Sequence, residues 1–355
     1  MGNVDLKDLS LREMENLISQ LGERSYRALQ IFEWVFQKNA GDIKEMTNLP
    51  LKLRNSLGEL ACITRLPITD KRVSKDGTRK YLFVLEDDNT IESVLIPDKE
   101  KLTLCISTQV GCKLNCSFCL TGKGGFVRNL KTSEIIEQVL SIRREIQENI
   151  TNIVFMGMGE PLDNYENVIK TIKIMISPHG LKIPVRRITL STAGIIPEII
   201  RLAGENLKIN LAVSLNAADN ETRDGIMPVN KKYPIDKLLE TLKEYPLPQG
   251  RRITFEYVMI NSINDTIKDA KRLSKILKGI RCKINLIPLN PPFTKGGKEG
   301  GIEGSNLEPS HPESIEEFQS LLISKHYTVI IRKSKGADIW AACGQLRSSK
   351  MTIKD

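Results

Sequence analysis

The amino-acid sequence predicts an α/β protein in which a partial parallel (βα)6 barrel follows a helical region and a β-hairpin. Three observations support this prediction. Apolar residues recur at helical spacing up to about residue 60, and they alternate with polar residues from about 61 to 98. From about residue 102, short strand patterns alternate with amphipathic helix patterns. Each parallel return needs a crossover helix, so six such units in a row indicate a barrel or part of one.

The chain before the barrel divides into two parts. Apolar side chains at helical spacing predict a helical accessory domain over residues 1–60. Two alternating segments, residues 81–85 and 91–96, flank a polar turn, which is typical of a hairpin. We therefore expect a small β-hairpin extension over residues 61–98.

The barrel core is expected over residues 99–345, followed by a C-terminal tail over 346–355. Its predicted strands cover residues 103–107, 152–156, 187–191, 209–214, 253–259 and 282–288, and a last strand covers 328–332. Its predicted helices cover residues 133–148, 164–176, 195–204, 235–245, 265–278 and 312–325. A loop over residues 290–311, rich in Gly, Pro and Lys, predicts a mobile lid.

The composition is that of a globular protein with a basic surface. Of the 355 residues, 40% are hydrophobic and 27% are charged, and the net charge is +9. Such a charge indicates a polyanionic partner, whereas the 5% of aromatic residues argue against a single-strand binder that stacks bases. The basic clusters lie at residues 71–75, 182–187, 231–232 and 332–335. We find neither the basic and apolar regions of a signal peptide nor an apolar run as long as a membrane span, so we expect a cytoplasmic protein.

The most informative motif is a run of three cysteines, Cys112, Cys116 and Cys119, with the spacing C-x3-C-x2-C. Three thiolates on one short loop can hold three corners of a [4Fe-4S] cluster and leave the fourth iron open. The alternative is a structural zinc loop, which normally has four ligands and prefers C-x2-C pairs, with Cys105 as its fourth ligand. Seven cysteines, an odd number, and only three histidines fit reduced thiols that act as ligands and reagents.

Unusual residues collect where the predicted strands end. In parallel barrels the active site lies at the carboxyl ends of the strands. The cysteine loop follows the first strand, and residues 157–161 (Gly-Met-Gly-Glu-Pro) follow the second. Polar groups end three later strands: Ser191, Ser214 with Leu215 and Asn216, and Asn290. A glycine-rich turn lets the backbone approach a ligand, and the Glu160 carboxylate can bind an ammonium group.

Together these motifs resemble the radical S-adenosylmethionine enzymes and, within them, the RlmN family of dual-specificity RNA methyltransferases. The resemblance runs from residues 26–34 to Gln345 and includes residues 109–112, 155–161 and 190–194. It also includes the motif Ala-Cys-Gly-Gln-Leu around Cys343. The resemblance implies a radical S-adenosylmethionine barrel, an N-terminal domain that binds RNA, and methylation of C2 of an adenosine in 23S rRNA and in tRNAs.

The resemblance also implies a role for each matching residue. Cys112, Cys116 and Cys119 match the ligands of one [4Fe-4S] cluster. Contacts to S-adenosylmethionine match Gly159, Glu160, Ser191, Ser214, Leu215, Asn216 and Asn290. Cys343 matches the cysteine that carries the methyl group, Cys105 the cysteine that resolves the intermediate, and Glu92 the proton acceptor. Cys62 and Cys282 match nothing catalytic and are expected to be structural.

The family's chemistry explains the need for two cysteines. Adenine C2 is electron-poor and does not attack a sulfonium methyl group. The implied route uses two molecules of S-adenosylmethionine per turnover: one methylates Cys343, and the other supplies a radical that activates this methyl group for addition to C2. Cys105 then breaks the protein–RNA adduct and leaves a disulfide. The implied partners are 23S rRNA, tRNA and an electron donor such as flavodoxin or ferredoxin, with no membrane and a monomeric enzyme.

Two other functions remain open on the sequence. A Cfr-type methyltransferase that acts at C8 of an rRNA adenosine would share the cysteines and the mechanism, but it differs at Asn216 and in the Gly-Glu-Pro turn. A zinc-bearing RNA-binding protein without catalysis would explain the charge and one cysteine cluster. It would explain neither Cys343 nor the polar strand ends.

Overall fold

A computed structural model of the chain describes residues 4–290 and 307–347. Most of the predicted lid over residues 290–311, and the tail beyond residue 347, lie outside these described residues. The α-helices are α1 Leu11–Gln20, α2 Tyr26–Phe36, α3 Leu51–Leu60, α4 Leu120–Lys123, α5 Thr132–Ile146, α6 Tyr165–Ile176, α7 Ile196–Gly204, α8 Asn220–Ile226, α9 Ile235–Lys243, α10 Ile267–Ile276 and α11 Pro312–Ser324.

The strands belong to one large sheet and two small ones. They are β1 Val4–Asp5, β2 Ala61–Cys62, β3 Ile68–Val73, β4 Arg79–Val84, β5 Thr90–Asp98, β6 Lys101–Cys105, β7 Gln109–Gly111, β8 Phe126–Asn129, β9 Asn152–Phe155, β10 Ile188–Thr192, β11 Asn210–Ser214, β12 Ile253–Met259, β13 Cys282–Pro288 and β14 Val329–Ile331. The large sheet has the order β14-β13-β12-β11-β10-β9-β6-β5-β4-β3. Strands β6 and β9 to β14 run parallel, and β3 to β5 add an antiparallel edge.

The parallel part confirms the predicted alternation of strands and helices. Every predicted strand and helix of the barrel is present, with bounds within two residues of those expected. Helix α5 buries Ile135, Val139 and Ile142, the face that its apolar spacing produces. The predicted hairpin is also present as β4 and β5, and β3 extends it to three antiparallel strands.

Several short elements were not predicted, among them helix α4, the hairpin of β7 and β8, and helix α8. Each is too short to produce a recognisable apolar period. Helix α8, for instance, has seven residues, of which only its last, Ile226, is a large apolar side chain.

The parallel sheet curves strongly, so that strands far apart in the sheet order approach each other. Arg332, which follows β14, reaches Met156, which follows β9, with 3.9 Å between Nη1 and Sδ. Four strands separate β14 from β9 in the sheet. Within the described residues β14 pairs only with β13, so the barrel is partial, as predicted.

The N-terminal helices pack against the barrel and share one hydrophobic cluster with it. A buried ion pair joins the two regions, because the Lys7 ammonium contacts the Glu137 carboxylate of α5 and donates a 2.6 Å hydrogen bond to the Thr64 carbonyl. Both side chains of the pair are fully buried. Among the described helices, none combines the length and the apolar character needed to cross a bilayer.

Candidate active site at the carboxyl ends of the strands

The carboxyl ends of the parallel strands surround a cavity of about 730 Å³. Most of the residues predicted for the site line it: Cys105, Cys112, Cys116, Cys119, Gly159, Glu160, Ser191, Ser214, Asn216, Asn290 and Cys343. Two predicted residues do not. Leu215 is fully buried beside the wall, where its N–H donates a 3.0 Å hydrogen bond to the Glu256 carbonyl, and Glu92 lies in the antiparallel strand β5.

The cysteine loop is held by the hairpin of β7 and β8. Gly111 has a φ of +74°, and a Cβ on it would lie 1.8 Å from the Gly125 carbonyl oxygen, so only glycine fits. The next residue, Cys112, donates its N–H to the same oxygen at 2.9 Å. At the other end of the loop, the N–H of Cys119 donates to the Cys116 carbonyl at 3.1 Å, and both cysteines line the cavity.

The cysteine loop brings three thiols to the same cavity, because Cys112, Cys116 and Cys119 all line it. In a [4Fe-4S] cluster each thiolate binds a different iron, and three thiolates leave the fourth iron open. Burial raises the pKa of Cys112 to about 12 and also raises that of Cys116, so without a metal these thiols are protonated. Metal binding must therefore release protons.

Glu160 lies in the cavity wall after the Gly-Met-Gly turn. Gly159 has a φ of +97°, and a Cβ there would lie 2.5 Å from the Gln109 side chain. The Glu160 carboxylate accepts hydrogen bonds from the N–H groups of Leu162 at 3.1 Å and Ala193 at 2.7 Å. Burial nevertheless raises the pKa of Glu160 to about 7. A cationic partner such as an ammonium group would favour the ionised form of this carboxyl group.

Arg223, on helix α8, is a site residue that sequence reasoning missed. It is fully buried and donates hydrogen bonds to the carbonyls of Ala193 (2.6 Å), Ser214 (3.1 Å) and Leu215 (2.9 Å). A further bond, of 3.0 Å, goes to the Asn230 side chain. Arg223 therefore ties together two strand ends that line the cavity. No local pattern distinguishes it from the many surface arginines of the chain.

The segment around Cys343 docks on the cysteine loop. The Gly344 carbonyl accepts the Leu120 N–H at 2.8 Å, and a Cβ on Gly344 would lie 2.9 Å from the Phe118 carbonyl oxygen. The Asn290 side chain donates to the Cys343 carbonyl at 3.3 Å. The Cys343 side chain is exposed, whereas Cys105 is buried in the cavity wall at the end of β6. Burial, reinforced by the nearby Cys343, raises the pKa of Cys105 to about 12.

Glu92 is buried, although a glutamate in a β-hairpin is usually exposed to solvent. Only 6% of Glu92 is exposed. Its carboxylate forms a 2.9 Å ion pair with Lys80 and accepts the Arg347 N–H at 3.1 Å. This second contact links Glu92 to the segment that carries Cys343. Cys62 and Cys282, which were expected to be structural, lie outside the cavity lining.

The basic clusters differ in how free their charges are. In the cluster at 71–75, Lys71 pairs with Glu145 at 2.5 Å and Arg72 with Asp70 at 3.2 Å. In the cluster at 332–335, all four residues line the cavity, and the structure records no salt bridge for Lys333 or Lys335 in the described part of the chain. The second cluster therefore combines free positive charge with direct access to the site.

Comparison with known proteins assigns a family to this site. Residues 106–274 match the model of the radical SAM superfamily, and residues 4–63 match that of the ribosomal RNA large subunit methyltransferase N-terminal domain. The chain is 48% identical over 351 residues to the dual-specificity RNA methyltransferase RlmN of Geobacter sulfurreducens, covering 99% of this chain and 94% of that protein. It is also 48% identical over 356 residues to the protein of the same name from Syntrophus aciditrophicus, covering 100% and 99%.

A solved structure agrees with these relatives. The crystal structure of a radical SAM methyltransferase from Sphaerobacter thermophilus matches with a TM-score of 0.88 and 40% identity, covering 97% of this chain and 99% of that one. These similarities extend over both the helical region and the barrel, and they include the cavity just described. The chain therefore belongs to the RlmN family of dual-specificity RNA methyltransferases, within the radical SAM superfamily.

Proposed function

We propose that this protein methylates C2 of an adenosine in 23S rRNA and in tRNAs, with Cys343 as the carrier of the methyl group and Cys105 as the resolving thiol. One observation carries the proposal. Two cysteines outside the three-cysteine motif line the same cavity as that motif: Cys105, at the end of the first barrel strand, and Cys343, beyond the last one. A cluster-binding protein alone needs only the motif, whereas a route through a protein–RNA adduct needs both additional thiols.

The proposed cofactors are one [4Fe-4S] cluster, held by Cys112, Cys116 and Cys119, and two molecules of S-adenosylmethionine per turnover. Bound together, they supply a methyl group and a radical able to abstract hydrogen. Glu160 binds the ammonium group of the methionine, and Ser191, Ser214, Asn216 and Asn290 provide polar contacts around the rest of the molecule. The exposed Cys343 accepts the methyl group and presents it to the base. The buried Cys105 attacks the Cys343 sulfur afterwards.

Glu92 is proposed to accept the proton that leaves C2. Its hydrogen bond to the Arg347 N–H supports this role, because the bond connects it to the segment that carries Cys343. Its 2.9 Å ion pair with Lys80 holds the carboxylate in place beside that segment. The RNA backbone is proposed to bind to the basic surface, and the target adenosine must leave its stack to enter the cavity. A flavodoxin or ferredoxin, a monomeric enzyme and a cytoplasmic location complete the proposal.

Substitution of the two cysteines tests the division of roles. Cys105→Ala should form the bond to adenine and then stall, so the protein should accumulate covalently linked to RNA through Cys343. Intact-protein mass spectrometry should detect the added mass of the linked RNA, and nuclease treatment should reduce that added mass. Cys343→Ala should abolish methylation and form no adduct, and the double variant should behave in the same way.

Two outcomes would contradict the proposal. Normal release of methylated RNA by Cys105→Ala would make Cys105 a packed core residue. Nucleoside mass spectrometry of the wild-type product would identify the methylated carbon, and methylation at C8 would point to the Cfr-type activity instead. Iron and sulfide analysis of anaerobically purified protein separates both activities from a zinc-bearing RNA-binding protein.

A further inference from the structure

The segment that carries Cys343 is docked on the antiparallel strands β4 and β5. The Lys80 ammonium, on β4, donates a 3.2 Å hydrogen bond to the Trp340 carbonyl. The Glu92 carboxylate, on β5, accepts the Arg347 N–H at 3.1 Å. Trp340 and Arg347 lie three residues before and four residues after Cys343. The two contacts therefore hold the segment on both sides of this cysteine.

The Lys80 and Glu92 side chains form one buried pair. Their Nζ and Oε1 atoms are 2.9 Å apart, and both residues are buried. In the sheet, Lys80 lies opposite Val94, two residues along β5 from Glu92, so all three side chains point to the same face. Val94 lines the cavity. The pair therefore lies on the face of the hairpin that continues the cavity wall.

Trp340 has an unusual backbone conformation at the turn that leads into Cys343. Its φ is +59°, in the left-handed region that a bulky side chain rarely adopts. Such a conformation costs free energy and persists only where neighbouring contacts hold it. The Trp340 N–H donates to the Ala337 carbonyl at 3.2 Å, and the Trp340 carbonyl accepts from Lys80. The turn thus depends in part on a side chain from β4.

A second set of contacts holds the start of the same segment on the turn between β3 and β4. The Asp338 carboxylate accepts the Ser74 hydroxyl at 2.6 Å and the Lys75 N–H at 3.2 Å. The Gly336 N–H donates to the Asp76 carboxylate at 3.1 Å. These bonds involve neither β5 nor the interior of β4, so they should persist when the contacts nearer to the cysteine are lost.

We propose that Lys80 is a positioning residue for the methyl transfer: its ammonium binds the Trp340 carbonyl and the Glu92 carboxylate together and thereby fixes Cys343 at the cavity. That Cys343 carries the methyl group rests on the function proposed above. An ammonium group suits this role because its three N–H donors allow it to bind two partners at once. Accurate placement matters, since a displacement of about 1 Å at a reacting group can slow a reaction about a hundredfold.

Hydrogen–deuterium exchange tests the contact in anaerobically reconstituted holoprotein, without RNA or S-adenosylmethionine. Lys80→Met keeps the apolar stem and removes the ammonium. The amides of residues 341–347 should then exchange about tenfold faster or more, because a hydrogen bond from a charged group no longer holds this part closed. The amides of residues 336–338, and those of β4 and β5, should stay within about threefold of the wild type. Mass spectrometry of peptic peptides resolves these regions.

Two further variants separate the docking contact from the stability of the fold. Lys80→Met leaves the Glu92 carboxylate buried without its cation, which by itself destabilises a protein. The double variant Lys80→Met, Glu92→Leu removes both charges, and it should release residues 341–347 while β4 and β5 remain protected. Lys71→Met is the matched control, because it removes the partly exposed pair with Glu145 on the neighbouring strand β3 and should change the exchange of that peptide less than about twofold. Unchanged exchange of residues 341–347 in the double variant, or equal acceleration along the whole chain, would overturn the proposal.

A second readout distinguishes positioning from a loss of folded protein. In Lys80→Met, the affinity and the stoichiometry of S-adenosylhomocysteine binding should stay within about twofold of the wild type, because the proposed cofactor contacts lie on other strands. The rate of methyl transfer from S-adenosylmethionine to Cys343, measured by peptide mass spectrometry and expressed per binding site, should fall more than tenfold. Lys80→Arg, which keeps the charge and the N–H donors, should retain at least a third of the wild-type rate.

A wild-type transfer rate in Lys80→Met, or a loss of cofactor binding as large as the loss of transfer, would also overturn the proposal. If the wild-type protein methylates neither Cys343 nor C2 of adenosine, but the exchange of residues 341–347 changes as expected, Lys80 still docks the segment and only the proposed function fails.

Discussion

At the scale of single residues, burial decides the chemistry of the cavity. Glu160 is a carboxyl group whose pKa is raised to about 7, although two backbone N–H groups donate to it. Arg223, also buried, donates its hydrogen bonds to backbone carbonyl groups and not to a carboxylate. In both cases backbone groups hold a buried ionisable side chain in place. Glu160 thereby stays in the cavity wall, and Arg223 fixes two of the strand ends around the cavity.

The raised pKa of Glu160 predicts a pH-dependent affinity for the cofactor. Below about pH 7 the empty site holds a neutral carboxyl group, and binding of an ammonium group must release its proton. Affinity should therefore fall by up to about tenfold per pH unit below 7 and level off above it. Titration of the holoprotein with S-adenosylhomocysteine at pH 6, 7 and 8 measures this.

Glu160→Gln is the matched variant, because it keeps the shape and removes the ionisation. It should bind more weakly at pH 8 and lose most of the dependence on pH. An equal pH slope in the variant and the wild type would assign the titration to another group.

At the scale of elements, the cysteine loop depends on the backbone of the β7–β8 hairpin. Gly111 has a left-handed φ and no space for a Cβ. Gly124, at the end of α4, has an ordinary φ of −70°, and a Cβ added there would lie 3.7 Å from its nearest neighbour, the Thr121 carbonyl oxygen. The two glycines lie on either side of the three cysteines. They differ in what the fold requires of them.

Gly111→Ala should therefore distort the loop, and Gly124→Ala should not. We expect anaerobically reconstituted Gly111→Ala to bind less than half of the wild-type iron and sulfide, because the added Cβ displaces Gly125, whose carbonyl holds Cys112. Iron analysis, with circular dichroism to verify folding, provides the measurement. Wild-type iron in Gly111→Ala, or equal losses in both variants, would refute this account of the loop.

At the scale of the whole molecule, the N-terminal region is attached to the barrel by a buried network of charges. The Glu137 carboxylate contacts both Lys7 and Arg144, and Ser141 donates to it at 2.9 Å. Burial, partly offset by Glu137, lowers the pKa of Lys7. Removal of one member of such a network leaves an uncompensated buried charge.

Glu137→Gln should lower the free energy of unfolding by about 3–5 kcal/mol at pH 7. A lysine whose pKa is depressed in the folded state costs stability below that pKa, and the cost disappears as the pH rises toward the value of the unfolded chain, about 10.4. The loss should therefore shrink between pH 7 and 10, as measured by denaturant unfolding.

The control for this prediction lies on the same helix. Glu145→Gln removes the partly exposed pair with Lys71 and should cost less than about 1 kcal/mol. Similar losses in the two variants, at every pH, would show that the buried network contributes no more than a surface pair.

The distribution of charge predicts where RNA binds. Charge reversal at Lys333 and Lys335 should weaken RNA binding and reduce the slope of log affinity against log salt by about 2. Charge reversal at Lys75, in the partly neutralised cluster 71–75, should weaken RNA binding less than charge reversal at Lys333 and Lys335. Neither change should alter which position of the RNA is methylated. Filter binding over a range of salt concentrations measures these effects.

Lys275 and Lys278 serve as the matched control, since they are exposed and precede the amino end of β13, away from the cavity. Their reversal should leave the affinity within about twofold of the wild type. If charge reversal at Lys275 and Lys278 weakens RNA binding as much as charge reversal at Lys333 and Lys335, RNA affinity depends on net charge alone and not on the position of the charges.

The sequence by itself determined the fold class, the bounds of the barrel elements and the three-cysteine loop. These depend on periodic apolar spacing, turn residues and ligand spacing, all of which act over a few neighbouring residues. The tertiary structure alone decided that Cys105 and Cys343 share a cavity, that Glu256 and Arg332 line it too, and that Glu92 is buried. It also decided that Arg223 holds together two of the strand ends that surround the cavity. The burial and electrostatic environment of a polar side chain depend on which distant segments pack around it, and no local pattern encodes that packing.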